Sequence, residues 1–337
     1  MRIVFYSGGA LSWAAAMRTI ERHGRADVRL LFTDTSMEDE DLYRFLDDSE
    51  RQLGVPLIRL QEGRTPWQVY RDERMMGNSR VDPCSKILKR EQARTWLAAN
   101  APGATLVFGI DWTEMHRLDG LVARYGETGH PVEAPMCDAP WMTKGDVLRW
   151  MRAEGVEPPR LYEMGFAHNN CGGFCCRAGH GHFETLLRQM PDRYRQHEEA
   201  EQDMRDFLGK DVAILRDRSD DETKPMTLRE LRETIEAGGQ IDMFAIGGCG
   251  CFTEPRQGRI MSHEVYGDND DHEGWITEER AAEMFAEGAQ ACREMMARFV
   301  EQGGDDAIAE SIRAHWHPGW GKDPGRPEEV ATDPWSA

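Results

Sequence analysis

Apolar positions along the chain alternate between short unbroken runs and stretches with helical spacing. Ile3-Val4-Phe5-Tyr6 is such a run, closed by Ser7-Gly8-Gly9, and Leu11, Ala14, Ala15 and Met17 then follow at helical spacing up to Gly24. The opening therefore predicts a strand, a tight glycine turn and a helix. Val28 to Phe32 predicts a second buried strand, Thr33-Asp34-Thr35 its exit, and Asp39 to Leu53 a helix. Leu57 to Leu60 predicts a third strand, residues 85 to 99 another helix, and Thr105-Leu106-Val107-Phe108 a fourth strand ending at Gly109. Strands alternating with helices predict an α/β fold, a doubly wound parallel sheet with helices on both faces. Such sheets bind ligands at the carboxyl ends of their strands, where the strand order reverses. Ser7-Gly8-Gly9, Asp34 and the segment from Gly109 belong to that edge.

Past about residue 185 the pattern turns helical and acidic, and Thr227-Leu228-Arg229-Glu230 gives one helix a capping-box start. Gly247-Gly248-Cys249-Gly250-Cys251 predicts a turn that closes this region. Residues 277 to 301 predict a further helix, and the Pro-, Gly-, Asp- and Trp-bearing end an irregular segment. The expected division is an α/β domain over 1–185, a helical extension over 186–255 ending in the Cys-Gly-Cys turn, and a helical tail over 256–337.

Composition narrows the function. A hydrophobic content of 40% supports a true core. No stretch approaches the roughly 18 apolar residues of a membrane span, and the start lacks a signal-peptide layout, so a soluble cytoplasmic protein without membrane partners is expected. The formal charge of −19 opposes unaided binding to a phosphate backbone. A nucleic-acid substrate would need delivery by a basic partner protein, whereas a small anion would not. In a reducing compartment eight cysteines are better read as metal-binding or catalytic than as a disulfide framework.

Ser7-Gly8-Gly9-Ala10-Leu11-Ser12 places small residues and hydroxyls between a strand and a helix, where bare amides and the helix dipole suit an anion. A purely structural tight turn is the plainer alternative. The segment lacks the Lys of a Walker A loop and does not match the dinucleotide fingerprint. It resembles the PP-loop, Ser-Gly-Gly-x-Asp-Ser/Thr, with Ser7, Gly8, Gly9 and Ser12 matching and Leu11 at the Asp position. Gly109-Ile110-Asp111-Trp112-Thr113-Glu114-Met115-His116-Arg117 resembles the Gly-x-x-x-x-Glu-x-x-Arg segment of phosphoadenosine phosphosulfate (PAPS) reductase-like proteins. Trp141 to Val147, then Pro158-Pro159-Arg160-Leu161-Tyr162 to Phe166, then Asn170-Cys171-Gly172-Gly173-Phe174-Cys175, resemble that family's later motifs in the same order. Pro83-Cys84-Ser85-Lys86-Ile87-Leu88-Lys89 stands at its Cys-then-Leu-Lys segment. The resemblance spans roughly residues 1 to 255 and implies an adenine nucleotide alpha hydrolase-like fold. It implies ATP or another adenine nucleotide, with Mg, at Ser7, Gly8, Gly9, Ser12, Asp34 and Gly109. Lys86 and Lys89 are candidate contacts for an anionic substrate, and Glu114 and Arg117 candidate catalytic residues.

The family's iron-sulfur branch implies metal ligands at Cys84, Cys171 and Cys175, with Cys251 as a fourth, in a 4Fe-4S cluster. Soft thiolates equally suit zinc, held by Cys171, Cys175, Cys249 and Cys251, and unligated buried cysteines are the third reading. Cys137, Cys176 and Cys292 read as packing residues. Glu38-Asp39-Glu40-Asp41 reads as a helix start whose acids suit the dipole, and His168, His180 and His182 receive no role. The leading functional expectation is an ATP-dependent adenylating enzyme that transfers sulfur to a nucleic acid or small molecule. The alternatives are reduction of PAPS or adenylyl sulfate, with Cys249 or Cys251 as nucleophile, and a nucleotide-binding regulatory protein without catalysis.

Overall fold

The computed structural model describes residues 1–217, 223–239 and 241. Strands β1 (Arg2–Phe5), β2 (Val28–Asp34), β3 (Leu57–Gln61), β4 (Thr105–Phe108) and β5 (Val132–Glu133) form a five-stranded parallel sheet in the order β3-β2-β1-β4-β5. The helices are α1 (Ala10–His23), α2 (Glu40–Leu53), α3 (Pro66–Asp72), α4 (Gln92–Asn100), α5 (Leu118–Gly126), α6 (Lys144–Ala153), α7 (Arg160–Glu163), α8 (His180–Gln189), α9 (Pro191–Leu208) and α10 (Leu228–Glu236). A hairpin of β6 (Leu215–Asp217) and β7 (Lys224–Met226) precedes α10.

Successive strand residues point to opposite faces, so a strand buried on both sides must be apolar throughout. Val4, Tyr6, Leu30, Phe32 and Val107 pack with Trp13 of α1, Phe45 of α2 and Met151 of α6. Ile3, Phe5, Leu31, Leu106 and Phe108 pack on the other face with Leu97 of α4 and Leu121 of α5. The doubly wound α/β architecture expected from the pattern is thus present. Each fully buried large side chain contributes about 1.5–3 kcal/mol, and Ile3, Val4, Trp13, Phe45 and Leu46 are all 0% exposed.

The helix expected over 85 to 99 starts as a π-helix, Ser85–Glu91, before continuing as α4. Two-residue β5 and the β6–β7 hairpin are too short for a pattern of period two to announce. The boundary read at residue 185 falls inside α8. One cluster there joins Tyr70, Leu161, Phe174, Cys175 and Cys176 to Tyr194, Met204, Leu228 and Leu231, so the extension and the cysteine loop share a core. The capping box at Thr227 and Glu230 is formed as read. Among the described residues no helix is long and apolar enough to cross a membrane. The helix expected over 277 to 301, Cys249, Cys251 and Cys292 lie outside the described residues.

Candidate functional site

The strand order reverses between β1 and β4, and the glycine loop occupies the carboxyl end of β1 beside that crevice. Gly8 has a φ of +73°, and a Cβ there would lie 2.2 Å from Leu42 Cδ1. Ser12 Oγ donates to the Gly9 carbonyl at 2.8 Å and accepts from Gly9 N at 3.2 Å. Ala10 N donates to Tyr162 Oη at 3.0 Å, and Asn169 Nδ2 to the Gly8 carbonyl at 2.9 Å. The loop is therefore clamped from two sides by residues some 150 positions downstream. Helix geometry leaves the amides of Leu11 and Ser12 at the open first turn of α1. Gly109 serves the same loop: a Cβ there would come within 2.7 Å of Ser12 N and Cα. The close approach this glycine permits is that of β4's exit to the loop itself.

A cleft of about 360 Å³ opens over these elements, within the range of small-molecule sites. Ser7, Gly9, Leu11, Ser12, Gly109, Glu114, Arg117, Lys89, Lys144, Tyr162, His168 and Asn169 all line it. Glu114 and Arg117 pair with each other on the 3₁₀ turn Trp112–Arg117. Lys144 donates to the carbonyl of Ala167 and sits at the first turn of α6, whose start is a capping box between Thr143 and Asp146. That box accounts for the Thr and Asp of the motif around Trp141 as helix capping. Arg117, Lys89 and Lys144 outnumber the carboxylates Asp111 and Glu114 on the cleft wall, a local positive surplus in an acidic chain.

Not every expected residue reaches the cleft. Asp34 accepts from Tyr43 Oη at 3.0 and 3.1 Å and from Ser36 N at 2.8 Å, and it is not among the lining residues. Lys86 is exposed, with Glu91 at 4.0 Å. Lys89, three residues on, is buried 3.8 Å from Glu38.

A second, much smaller cavity of about 20 Å³ also borders Lys89, lined by Cys84, Cys171, Cys175, Cys176, Tyr70 and Thr35 among others. Cys84 Sγ lies 3.9 Å from Cys176 Sγ and 3.3 Å from Tyr70 Oη. Cys176, read from the sequence as packing, is thus the sulfur that touches Cys84. Hydrogen bonds from Cys176 and Tyr70 hold the Cys84 thiol below its ordinary pKa. The bond to Cys84, together with burial, pushes Cys176 well up. Of the two, Cys84 is the more acidic thiol and Cys176 the less acidic.

Those residues do not complete a metal site. Two thiolates on one tetrahedral zinc sit roughly 3.8 Å apart, given a Zn–S bond of about 2.3 Å, and the Cys84–Cys176 spacing matches. Yet no three of His, Cys, Asp and Glu among the described residues are arranged to hold a metal ion. A cavity of about 20 Å³ has room for about one water-sized sphere. Cys251, the fourth ligand that the resemblance implies, lies outside the described residues, and those described complete neither a cluster nor a zinc site by themselves.

The acidic run after β2 is more than a helix start. Glu38 is buried against Lys89 and accepts from Thr35 Oγ1 at 2.9 Å and from the amide of Cys171. Asp39, 0% exposed on its side chain, receives Arg160 at 2.9 Å and Arg193 at 3.1 Å while capping α2. Arg193 also donates to the Gly172 carbonyl at 2.7 Å. Cys171, Gly172 and Gly173 have φ of +52°, +59° and +83°, a costly conformation at Cys171 that this network over-determines. Nothing in the local pattern announced Glu38 or Asp39, because acids before a helix are ordinary. Tyr162 and Asn169 were within quoted motifs or beside them, but their partner was visible only in three dimensions.

No family model matches the chain. The chain is similar to an uncharacterized protein of Methanocaldococcus jannaschii, 23% identical over 192 residues, 56% of this chain and 39% of that protein. The matched region thus spans about two fifths of that relative's length.

Proposed function

We propose that the chain is a PP-loop enzyme of the PAPS reductase-like type, with an adenine nucleotide alpha hydrolase-like fold. It adenylates a substrate at the carboxyl edge of the sheet and delivers sulfur to it from its thiol centre. The observation that carries this reading is that Lys89 lines both the cleft at the strand ends and the thiol cavity. The amides at the start of α1 and the cations Lys89, Lys144 and Arg117 suit a nucleotide's phosphates and the negative charge that grows on departing pyrophosphate. Magnesium, when bound with the nucleotide, neutralises phosphate charge. Leu11 offers it no carboxylate, so any protein oxygen must come from elsewhere on the cleft wall. Cys84, loaded as a persulfide by an external sulfane-sulfur donor, attacks the adenylated carbon through its outer sulfur and displaces AMP. Cys176 then attacks Cys84 Sγ, releases the thiolated product and closes a disulfide that an external dithiol reduces.

The test is incubation of anaerobically purified full-length protein with ATP labelled in the α- and γ-phosphates, across nucleic acids and small acceptors. Pyrophosphate release that needs an acceptor is expected, and its absence with every acceptor counts against adenylation. The Cys84–Cys176 contact favours a second reading, reduction of PAPS or adenylyl sulfate. Two touching thiols can supply two electrons to a nucleotide-bound sulfate and close to a disulfide. Sulfite production from either nucleotide would select it.

A further inference from the structure

His168 and Asn169 follow α7 and face the cleft, and neither has a full set of partners. Asn169 is 1% exposed. Its Nδ2 donates to the Gly8 carbonyl, which fixes the amide's orientation and leaves Oδ1 buried with no hydrogen-bond partner. His168 Nδ1 accepts from Asn170 N at 3.5 Å, so the proton of the neutral ring belongs on Nε2. That Nε2 is also buried without a partner. Burial, with His182, Lys144 and Lys89 nearby, keeps the ring neutral by driving its pKa well down. His182 stacks on it at 4.7 Å and is itself anchored by a 2.9 Å bond to the Gly173 carbonyl.

A buried donor and a buried acceptor left unmatched are costly, and here they belong to consecutive residues that both line the cleft. A bare phosphate would satisfy the donor alone. A hydrated magnesium-phosphate brings both an oxygen that accepts and a water that donates. We propose that His168 Nε2–H and Asn169 Oδ1 form a donor–acceptor pair that positions the phosphate end of a magnesium-nucleotide, His168 on a phosphoryl oxygen and Asn169 on a magnesium-bound water. The proposal rests on the nucleotide reading above and names two positioning residues for it.

The experiment uses the full-length chain. Long-range ¹H–¹⁵N spectra of ¹⁵N-histidine-labelled protein report the His168 tautomer, assigned by the loss of its signals in H168Q. Calorimetric titration with ATP, with magnesium or with EDTA, is run on wild type, H168Q, H168N and N169A, with thermal midpoints alongside. The expected tautomer is Nε2–H, with Nε2 shifting on addition of Mg·ATP. His168→Asn keeps an acceptor at Nδ1 but removes the far donor, and should weaken Mg·ATP binding about tenfold or more. His168→Gln places an N–H near the imidazole Nε2 and should restore most of that loss. Asn169→Ala also frees the Gly8 carbonyl and so weakens binding in EDTA as well, but it should cut the gain in affinity that magnesium gives by several-fold. An Nδ1–H tautomer, wild-type affinity in H168N, or unchanged magnesium dependence in N169A overturns the pair and leaves the nucleotide reading standing. Wild type that binds neither Mg·ATP nor Mg·pyrophosphate overturns both.

Discussion

The cleft at the strand ends and the cavity that holds the thiols share the Lys89 side chain but are built by opposite routes. Sheet topology builds the cleft: the order β3-β2-β1-β4-β5 leaves a crevice where β1 and β4 part, and the glycine loop falls into it. Tertiary packing builds the cavity, from Cys84 at the foot of a π-helix and from Cys171, Cys175 and Cys176 on a strained loop. One is wide and carries three cations, the other narrow and lined with sulfur. The contrast implies that a substitution can disable either compartment alone, except where a residue braces the wall between them.

Glu38 is that residue, and its removal should have the largest effect. Glu38→Ala takes away the buried carboxylate facing the Lys89 ammonium and the acceptor of the Cys171 amide. Breaking a buried ion pair on one side costs about 3–5 kcal/mol. Chemical denaturation should show a loss of that order, with weakened ATP binding and faster thiol alkylation together. A variant that loses one property and keeps the other would show that the compartments are not braced in common.

Gly109→Ala should separate them. Its new Cβ meets backbone atoms of Leu11 and Ser12 that cannot swing aside as a side-chain tip does. Overpacking of this kind costs about 1–3 kcal/mol, and the strain falls on the glycine loop. ATP affinity should drop while the alkylation rate of Cys84 holds at the wild-type value. Equal loss in both readouts would mean that the loop and the thiol cavity move as one.

How much could be read in advance follows the same divide. The parallel sheet, the glycine loop and the Gly109 exit were legible because four-residue apolar runs and glycine turns are local signals of topology. The pairing of Cys84 with Cys176, the burial of Glu38 and the clamps from Tyr162 and Asn169 were not. Each joins positions 92 or more residues apart, or sets one of two adjacent cysteines apart from the other, and no periodicity encodes that. Of two lysines three apart, only the π-helix could show that Lys89 turns inward and Lys86 outward.

The helical lobe behind the thiols can be probed by pH. Burial holds His197 at about 3, with its Nδ1 accepting from Trp67 Nε1 at 3.0 Å and its ring 4.0 Å from Phe174. The unfolded chain, with a pKa near 6.5, binds the extra proton between those values, so this group makes stability rise with pH from about 3 to about 6.5. Glu201 runs the other way. Burial raises it from 4.5 to about 7, although it accepts from Ile214 N at 2.9 Å and Leu228 N at 2.6 Å. The folded chain there holds the extra proton, and stability falls as pH climbs from about 4.5 to about 7. The two oppose each other over roughly pH 4.5 to 6.5. Glu201→Gln removes the falling limb, so its thermal midpoint should climb more steeply than wild type over that window, by the equivalent of about 1–2 kcal/mol. Parallel midpoint curves would show that Glu201 does not titrate there.

The smallest effect should come from Lys86→Ala. Its ammonium is exposed and meets Glu91 only at 4.0 Å, on the side of the π-helix away from both compartments. An exposed pair of this kind contributes about 0–1 kcal/mol, so stability should stay within about 0.5 kcal/mol of wild type. Mg·ATP affinity and Cys84 alkylation should be unchanged within about twofold, a margin that free-energy errors of about 0.4 kcal/mol already span. Lys89→Met, in contrast, leaves the Glu38 carboxylate facing an apolar chain in the shared wall and should move all three measurements. Should Lys86→Ala alone weaken ATP binding by tenfold, the substrate path would have to run over the outer face of the π-helix, and the cleft would extend past Lys89 to a surface that now lies outside it.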